Sequence, residues 1–242
     1  MYKMIGLMGA MDEEIALLLE KVEHQEAVEA AGARFVKGVL HGRNVVVCKS
    51  GVGKVNAAAT TQVLIDRFGA DTIWFTGVAG AVHRELNVGD IVISSTCLQH
   101  DMDVRPLGYA RGITPYQDVS DFPADPALIR LAQDACTRQC TDHQYRVGRV
   151  LSGDQFIADP EFVASVLYRE LDGACVEMEG AALAQVCYRN GVPFIVLRSI
   201  SDKADGSADV NFAEFTELAA RRSFAILNDM VKHADEAKNK PR

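Results

Sequence analysis

The sequence has no long hydrophobic run, no cluster of basic residues and no Cys-x-x-Cys pair. No apolar stretch approaches the roughly 20 residues that a membrane-spanning helix requires. The apolar run near the start is broken by Asp12, Glu13 and Glu14, so it is too short for the core of a secretory signal. We therefore expect a cytoplasmic protein that does not act at a membrane.

Acidic residues outnumber basic residues by 33 to 25, which gives a formal net charge of −8. A negative surface repels the phosphate backbone of nucleic acids, so no nucleic-acid partner is expected. The six cysteines and six histidines show none of the spacings typical of metal sites. We expect free thiols, no metal and no cofactor.

The chain has 242 residues, of which 48% are hydrophobic. This length and composition suit one globular domain with a sizeable core. We expect a single domain over residues 1–242, in which the charged tail 234–242 is frayed.

Predicted strands alternate with predicted helices along the chain. Strands are expected over 4–10, 34–40, 45–50, 71–76, 90–95, 145–151, 175–178 and 193–200, and helices over 11–22, 55–68, 125–140, 159–171, 180–189 and from Asn211 onward. Strands 34–40 and 45–50 are expected to form a hairpin. A glycine-containing loop is expected between strands 71–76 and 90–95. Residues 100–126 hold prolines and glycines that indicate a long loop. The alternation predicts an α/β fold, a three-layer α/β/α sandwich around a mixed, largely parallel twisted sheet.

Four predicted strands end in segments of unusual composition, at the sheet edge where ligands bind in such folds. These segments are 9–14, 76–81, 176–180 and 198–202. On composition alone, the acids of the first segment are explained by their favourable interaction with a helix N-terminus. The charged groups of the last two segments either pair in a purely structural Arg–Glu network or serve a ligand, because unpaired buried charges are costly.

The segment Ser50-Gly51-Val52-Gly53-Lys54-Val55 resembles a phosphate-binding loop only superficially. A Walker motif requires a glycine where Cys48 stands and Ser or Thr where Val55 stands. The first strand is also not followed by Gly-x-Gly-x-x-Gly, which argues against dinucleotide binding.

Taken together, the strand ends resemble the purine nucleoside phosphorylase/hydrolase superfamily, and within it the 5′-methylthioadenosine/S-adenosylhomocysteine nucleosidases. The matching segments occur in the family's order: IGLMGAMDEE at 5–14, KSGVGKV at 49–55, TGVAG at 76–80, SGDQFI at 152–157, VEME at 176–179 and RSISD at 198–202. The resemblance implies a nucleoside phosphorylase-like fold.

The resemblance also implies a role for each matching residue. Asp202 is expected to be the general acid that protonates adenine N7, Glu14 to activate the attacking water, and Glu179 to bind the ribose hydroxyls. Arg198 is expected beside the water and the carboxylates. Phe156 is expected to stack on the purine, the Ile157 backbone to read its edge, and further contacts to come from Val52, Ala79, Gly80, Glu177, Met178, Ser201 and Phe212.

Two further expectations concern the nucleophile and the assembly. The acids of the first turn would repel phosphate, so water is the expected nucleophile. Residues 100–115 resemble the part that a neighbouring subunit adds to the pocket, which implies a homodimer with apolar contacts from Val104, Leu107, Tyr109 and Pro115. The sequence departs from the family pattern at Val78, where some members carry Ser, and at Leu107, where an aromatic is often found.

The implied activity is hydrolysis of the N-glycosidic bond of 5′-methylthioadenosine, S-adenosylhomocysteine and 5′-deoxyadenosine, in methionine salvage and the activated methyl cycle. One alternative is the aminodeoxyfutalosine nucleosidase of menaquinone synthesis, which uses the same catalytic set. A second alternative is a nucleoside sensor that binds without turnover. The sensor is disfavoured because it would need no acid–base pair, and Glu14, Glu179 and Asp202 are all present.

Overall fold

The computed structural model describes residues 2–204 and 208–236. In this part of the chain eleven strands form one sheet. The strands are β1 (Ile5–Gly9), β2 (Glu23–Ala30), β3 (Ala33–Leu40), β4 (Arg43–Lys49), β5 (Thr72–Phe75), β6 (Val78–Ala81), β7 (Ile91–Gln99), β8 (Asp121–Pro123), β9 (Tyr145–Ser152), β10 (Gly173–Glu177) and β11 (Phe194–Asp202). The helices are α1 (Asp12–Lys21), α2 (Lys54–Asp66), α3 (Pro126–Gln139), α4 (Pro160–Phe162), α5 (Gly180–Asn190) and α6 (Ala208–Lys232). Helix α4 continues as a π-helix over Val163–Glu170, and Arg105–Leu107 forms one 3₁₀ turn.

The sheet is mixed, with the order β2-β3-β4-β1-β5-β11-β6-β10-β9-β7-β8. Strands β4, β1, β5, β11 and β6 run parallel, as do β10, β9 and β7. The hairpin β2-β3-β4 is antiparallel. Because β11 also pairs with β7, the strands β11, β6, β10, β9 and β7 close into a ring.

Two groups of helices cover the sheet. Helices α1 and α3 both pack on α6, and α2 packs on α5. The apolar core between these layers includes Leu7, Trp74, Phe75 and Ile195, all fully buried. Helices, sheet and helices thus form the predicted three-layer α/β/α sandwich with a mixed sheet, and the fold class is confirmed.

Local sequence signals explain several element boundaries. The Asp125 side chain accepts hydrogen bonds from the backbone N–H groups of Ala127 and Leu128 at the start of α3, with Pro126 as its first residue. Helix α5 ends at Gly191, whose φ of +64° suits glycine. These ends agree with the prediction to within one residue.

The structure departs from the predicted elements at several points. Strand β2 has no predicted counterpart, because its exposed, charged side chains conceal a backbone that pairs antiparallel with β3. The loop predicted between 76 and 90 contains strand β6, which forms because its backbone pairs with both β10 and β11. The predicted loop 100–126 contains strand β8, which pairs with β7.

The C-terminal region corrects two further expectations. Helix α6 already includes residues 208–210, so its predicted start at Asn211 is wrong. Ala234 is buried, and Asp235 forms an ion pair with Arg43, so the start of the predicted frayed tail packs on the domain. Residues 237–242 of that predicted tail lie outside the described residues.

All six cysteines are free thiols, and five of them are buried. Among the described helices, none is both long and apolar enough to cross a membrane. Within residues 2–204 and 208–236, no group of three or more His, Cys, Asp or Glu side chains is placed to hold a metal ion.

Candidate active site

A cavity of about 310 Å³ lies where strands β1, β10 and β11 end. Its lining is largely apolar, with four carboxylates among the residues that form it. The lining residues are Ala10, Met11, Glu14, Val52, Val78, Ala79, Gly80, Gln155, Phe156, Ile157, Val176, Glu177, Met178, Glu179, Ser201, Asp202 and Phe212. A concave apolar site with a few convergent polar groups is typical of small-molecule binding.

The structure brings almost all of the expected site residues together. Every residue expected to bind substrate lines the cavity, as do Glu14, Glu179 and Asp202. Arg198 does not line it and lies behind the carboxylates that it contacts. Among the described residues, the cavity also lacks the four side chains expected to come from a neighbouring subunit, Val104, Leu107, Tyr109 and Pro115.

Five lining residues were not among the expected site residues: Ala10, Met11, Val78, Gln155 and Val176. Four of them have apolar side chains, so nothing in their side-chain chemistry indicates a role. Each lies next to an expected site residue or within four positions of one, and this adjacency is the signal that could have found them.

Arg198 is the buried cation of the site, with 1% of its side chain exposed. Its guanidinium lies over the ring of Phe75, 4.0 Å from the ring centroid. Its Nε and Nη2 atoms both donate to the Glu177 carboxylate, and Nη2 lies 3.8 Å from Glu179 Oε2. Burial lowers the pKa of Arg198, but Glu177, Glu14 and Glu179 outweigh burial and raise that pKa above its usual value.

Glu177 links Arg198 to the start of helix α5. Its carboxylate accepts hydrogen bonds from the backbone N–H of Gly180 at 2.8 and 2.9 Å and of Glu179 at 3.3 Å. The Ser152 hydroxyl also donates to Glu177, while accepting from the backbone N–H of Ala181. The sequence allowed either a structural Arg–Glu network or a ligand site. The structure contains such a network between Arg198 and Glu177.

Glu179 is buried and is held by the loop before α2. Its Oε1 atom accepts a 2.8 Å hydrogen bond from the backbone N–H of Gly53. Burial and the neighbouring Glu177 raise the pKa of Glu179 from its usual 4.5 to about 8, although Arg198 and the Gly53 N–H lower it. The raised pKa favours the neutral carboxyl, which can both donate and accept hydrogen bonds.

Glu14 lies in the first turn of α1 but bonds to groups outside that helix. Its Oε2 atom accepts from the backbone N–H of Ala10 at 2.6 Å and of Met11 at 3.0 Å, and its Oε1 atom accepts from that of Val78 at 3.0 Å. Burial raises the pKa of Glu14, while Arg198 and these three N–H groups oppose the rise. The favourable interaction of an acid with a helix N-terminus does not by itself explain the position of Glu14. Its carboxylate lies at the cavity and is held by backbone groups that follow β1 and begin β6.

Asp202 ends strand β11 and faces strand β6. Its Oδ1 atom accepts from the backbone N–H of Ala204 at 2.7 Å, and its Oδ2 atom accepts from the Ser201 hydroxyl at 2.8 Å. A Cβ on Gly80 would lie 2.8 Å from Oδ1, closer than real Cβ atoms come. Glycine at position 80 therefore makes room for the carboxylate at the cavity wall.

Two aromatic side chains lie together at the cavity. The rings of Phe156 and Phe212 meet edge to face, with 5.7 Å between their centroids. Phe156 is 52% exposed, and Val52 is 50% exposed. Large apolar groups on the surface and at a cavity are suited to covering a flat apolar ligand.

Comparison with known proteins agrees with this geometry. The model of the phosphorylase superfamily matches residues 4–232. A curated 5′-methylthioadenosine/S-adenosylhomocysteine nucleosidase of Staphylococcus saprophyticus is 42% identical over 229 residues, which cover 95% of this chain and 99% of the relative. The chain belongs to this nucleosidase family of the phosphorylase superfamily. The resemblance noted in the sequence is thus confirmed.

Solved structures of the superfamily show the same fold. The nucleosidase of Neisseria meningitidis, in complex with methylthio-immucillin-A, is 38% identical with a TM-score of 0.91, covering 96% of this chain and 99% of that one. The futalosine hydrolase of Helicobacter pylori strain 26695 is 36% identical with a TM-score of 0.90, covering 96% and 98%. Since both match almost equally well, the fold of this nucleosidase family member does not by itself separate the two substrate classes.

Proposed function

We propose that the chain hydrolyses the N-glycosidic bond of 5′-methylthioadenosine and S-adenosylhomocysteine, and also that of 5′-deoxyadenosine. The products are adenine and the ribose that carries the 5′ substituent. One observation carries the proposal: the carboxyl groups of Glu14, Glu179 and Asp202 converge on one cavity of mainly apolar lining. The relatives' activity supports the choice of substrate.

In this proposal Asp202 acts on the departing base. Its carboxyl group donates a proton to N7 of adenine as the glycosidic bond breaks, so the base leaves as a neutral molecule. The carboxylate that remains accepts hydrogen bonds from Ser201 and from the Ala204 N–H, which stabilise its new charge.

The sugar side of the cavity carries the opposite charge. Positive charge develops on the ribose ring as the bond breaks, and the buried Glu14 carboxylate stabilises it. Glu14 also takes a proton from the attacking water, and its three backbone hydrogen bonds fix the direction of its carboxylate. Glu179 binds the ribose hydroxyls. Arg198 contacts Glu177 and Glu179 and offsets their negative charge, but it does not line the cavity.

Water rather than phosphate is the proposed nucleophile. Among the described residues that line the cavity there is no Lys, Arg or His. The backbone N–H groups of Ala10, Met11 and Val78 would otherwise form a site for an anion, but the Glu14 carboxylate already accepts from all three. A phosphate ion at this place would face a carboxylate instead of hydrogen-bond donors.

The remaining contacts follow the family pattern. Phe156 stacks on the purine, the Ile157 backbone reads its edge, Met178 lies beside the sugar, and Phe212 closes over the 5′ substituent. We further propose that the enzyme is a cytoplasmic homodimer of methionine salvage and the activated methyl cycle. In this dimer the second copy completes the 5′ end of the pocket with Val104, Leu107, Tyr109 and Pro115.

A second candidate is the hydrolysis of aminodeoxyfutalosine. It is supported by the similarity to the futalosine hydrolase of Helicobacter pylori, which is 36% identical. The chemistry at the glycosidic bond would be the same, and the two candidates differ in the 5′ substituent that the pocket accepts.

An adenine-release assay without phosphate tests both candidates. Methylthioadenosine, S-adenosylhomocysteine, 5′-deoxyadenosine and aminodeoxyfutalosine are compared as substrates. We expect fast release of adenine from the first three. Selective release from aminodeoxyfutalosine would establish the second candidate. Tight binding of a nucleoside without release of base would identify a sensor and contradict both.

A further inference from the structure

The loop that resembles a phosphate-binding loop has a different use in the structure. Its lysine, Lys54, points to the end of strand β7, where its ammonium donates to Asp101 Oδ1 at 2.7 Å and to Gln99 Oε1 at 3.0 Å. The side chains of Lys54 and Asp101 are only 17% and 22% exposed. Most ion pairs among the described residues have at least one partner that is more exposed, so this pair is well protected from solvent.

Asp154 joins the same group of contacts from a third loop. Its Oδ1 atom accepts from the backbone N–H of Lys54 at 2.8 Å, and its own N–H donates to Asp101 Oδ2 at 3.0 Å. Lys54, Asp101 and Asp154 therefore form a closed circuit of three contacts, here called the lysine circuit. Burial raises the pKa of Asp101, but Lys54 and the Asp154 N–H lower it below its usual value, so Asp101 stays ionised.

Two of the three loops of the lysine circuit, those of Lys54 and Asp154, lead directly into the cavity. Gly53, next to Lys54, donates its N–H to Glu179, and Val52 lines the cavity. Gln155, Phe156 and Ile157 follow Asp154 and also line it. Gly53 has a φ of +98°, and a Cβ there would lie 3.2 Å from Asp154 Oδ1, so the close approach of the loops depends on glycine.

We propose that Lys54 is a positioning residue for the hydrolysis of the glycosidic bond. Its ammonium fixes the loop 51–54 against Asp101, and Asp101 in turn accepts a hydrogen bond from the backbone N–H of Asp154. This contact keeps the Gly53 N–H in position to donate to Glu179. It also holds the loop that carries Phe156, the side chain proposed to stack on the purine. Lys54 itself does not line the cavity and does not touch the substrate. The proposal rests on the proposed function, because it assigns Lys54 to the reaction that Glu179 and Phe156 serve.

The competing explanation is an ion pair that only adds stability. Substitution of Lys54 by Met removes the ammonium but keeps an unbranched side chain only one atom shorter, and it keeps the backbone N–H that binds Asp154. Lys54→Arg restores a cation of similar reach. The matched control is Lys37→Met, since Lys37 also forms an ion pair, with Glu26 at 3.3 Å, on the hairpin β2-β3 outside the cavity lining.

We expect Lys54→Met to lower kcat/KM by about 10- to 100-fold, the size of effect that small misplacements of reacting groups produce. Both a lower kcat, through Glu179, and a higher KM, through Phe156, should contribute. Lys54→Arg should recover most of the loss, and Lys37→Met should match the wild type. Values for Lys54→Met within twofold of Lys37→Met, measured on folded protein, would overturn the proposal.

Amide hydrogen exchange supplies a readout that does not need activity. Peptides that cover 50–56 and 152–158 should exchange faster in Lys54→Met than in the wild type, and unchanged exchange in both would overturn the proposal. If Lys54→Met does not fold, Asp101→Asn provides the same comparison from the other side of the pair. A wild type that releases no adenine would contradict the proposed function, while the exchange rates would still decide whether Lys54 holds the loops.

Discussion

The carboxylate of Glu14 accepts a 3.0 Å hydrogen bond from the backbone N–H of Val78, a residue 64 positions later in the chain. This bond joins the first turn of α1 to the start of strand β6, on neighbouring sides of one cavity. It places a buried carboxylate where the parallel strands would otherwise offer free N–H groups. In the proposed mechanism this one side chain excludes phosphate and leaves water as the nucleophile.

Substitution of Glu14 by Gln should lower kcat by about 10²- to 10⁴-fold, the usual contribution of a positioned acid or base. The amide retains the size of the carboxyl group but cannot take a proton from water. KM should change little, since the substrate's base and 5′ substituent bind elsewhere. The exposed neighbour Glu13→Gln is the matched control and should keep wild-type activity. Equal rates for the two variants in the adenine-release assay would exclude Glu14 as the base.

Asp202→Asn should abolish most of the activity, with a loss of kcat again of about 10²- to 10⁴-fold. Asparagine keeps an oxygen that can accept from Ser201 or Ala204 but has no acidic proton for N7. The variant should still bind 5′-methylthioadenosine, which calorimetry with the unreacted nucleoside measures. Asp66→Asn, on the exposed end of α2, serves as the control. Unchanged glycosidic cleavage by Asp202→Asn would disprove the assignment of the general acid.

Phe156→Ala should raise KM, because stacking of a base on an aromatic ring contributes about 1–3 kcal/mol, or roughly 5- to 150-fold in affinity. The effect on kcat should be smaller, since Phe156 covers the face of the purine and takes no part in the proton transfers in the proposed pose. Tyr188→Ala removes an aromatic ring of similar exposure, 47%, that does not line the cavity. An equal change in KM for both variants would argue against stacking on Phe156.

The pKa of Glu179 predicts how stability changes with pH. Because burial and Glu177 raise this pKa from 4.5 to about 8, the folded protein holds a proton that the unfolded chain has released across this interval. The free energy of unfolding should therefore fall as pH rises through it. Glu179→Gln removes this contribution, so its stability should fall less steeply than that of the wild type.

Urea unfolding of the wild type and of Glu179→Gln at several pH values measures the difference in slope. The raised pKa of Glu14 adds a slope of the same sign, which the variant retains. Glu13→Gln should show the wild-type slope. Parallel stability curves for the wild type and Glu179→Gln would show that Glu179 does not hold a proton in the folded state.

The elements that the sequence predicted correctly are those with buried apolar runs or clear caps, such as β1, α3 and β11. Strand β2 was not predicted, because its side chains are exposed and only its pairing with β3 makes it a strand. The sequence predicts a loop where strand β6 forms, because Val78-Ala79-Gly80-Ala81 has little intrinsic preference for a strand. Both depend on partners distant in sequence, which a local pattern does not contain.

The candidate site followed mainly from residues with distinctive chemistry. The carboxylates and the glycine-rich turn could be placed at strand ends, and Phe156 followed only from the resemblance to the nucleosidase family. Ala10, Met11 and Val176 present only backbone and apolar surface. The sequence also could not show that Arg198 lies behind the cavity wall rather than in it. That placement depends on Phe75, which covers the guanidinium from a different strand.

The two ends of the sheet have a consequence for behaviour at high concentration. Strand β2 forms one end, and its unpaired edge would invite a second molecule to extend the sheet. This strand carries three negative charges, at Glu23, Glu26 and Glu29, so the edges of two molecules repel each other. At the other end, β8 has only three residues and ends in Pro123, which has no N–H to offer a new strand. We therefore expect both edges to resist edge-to-edge polymerisation into fibres.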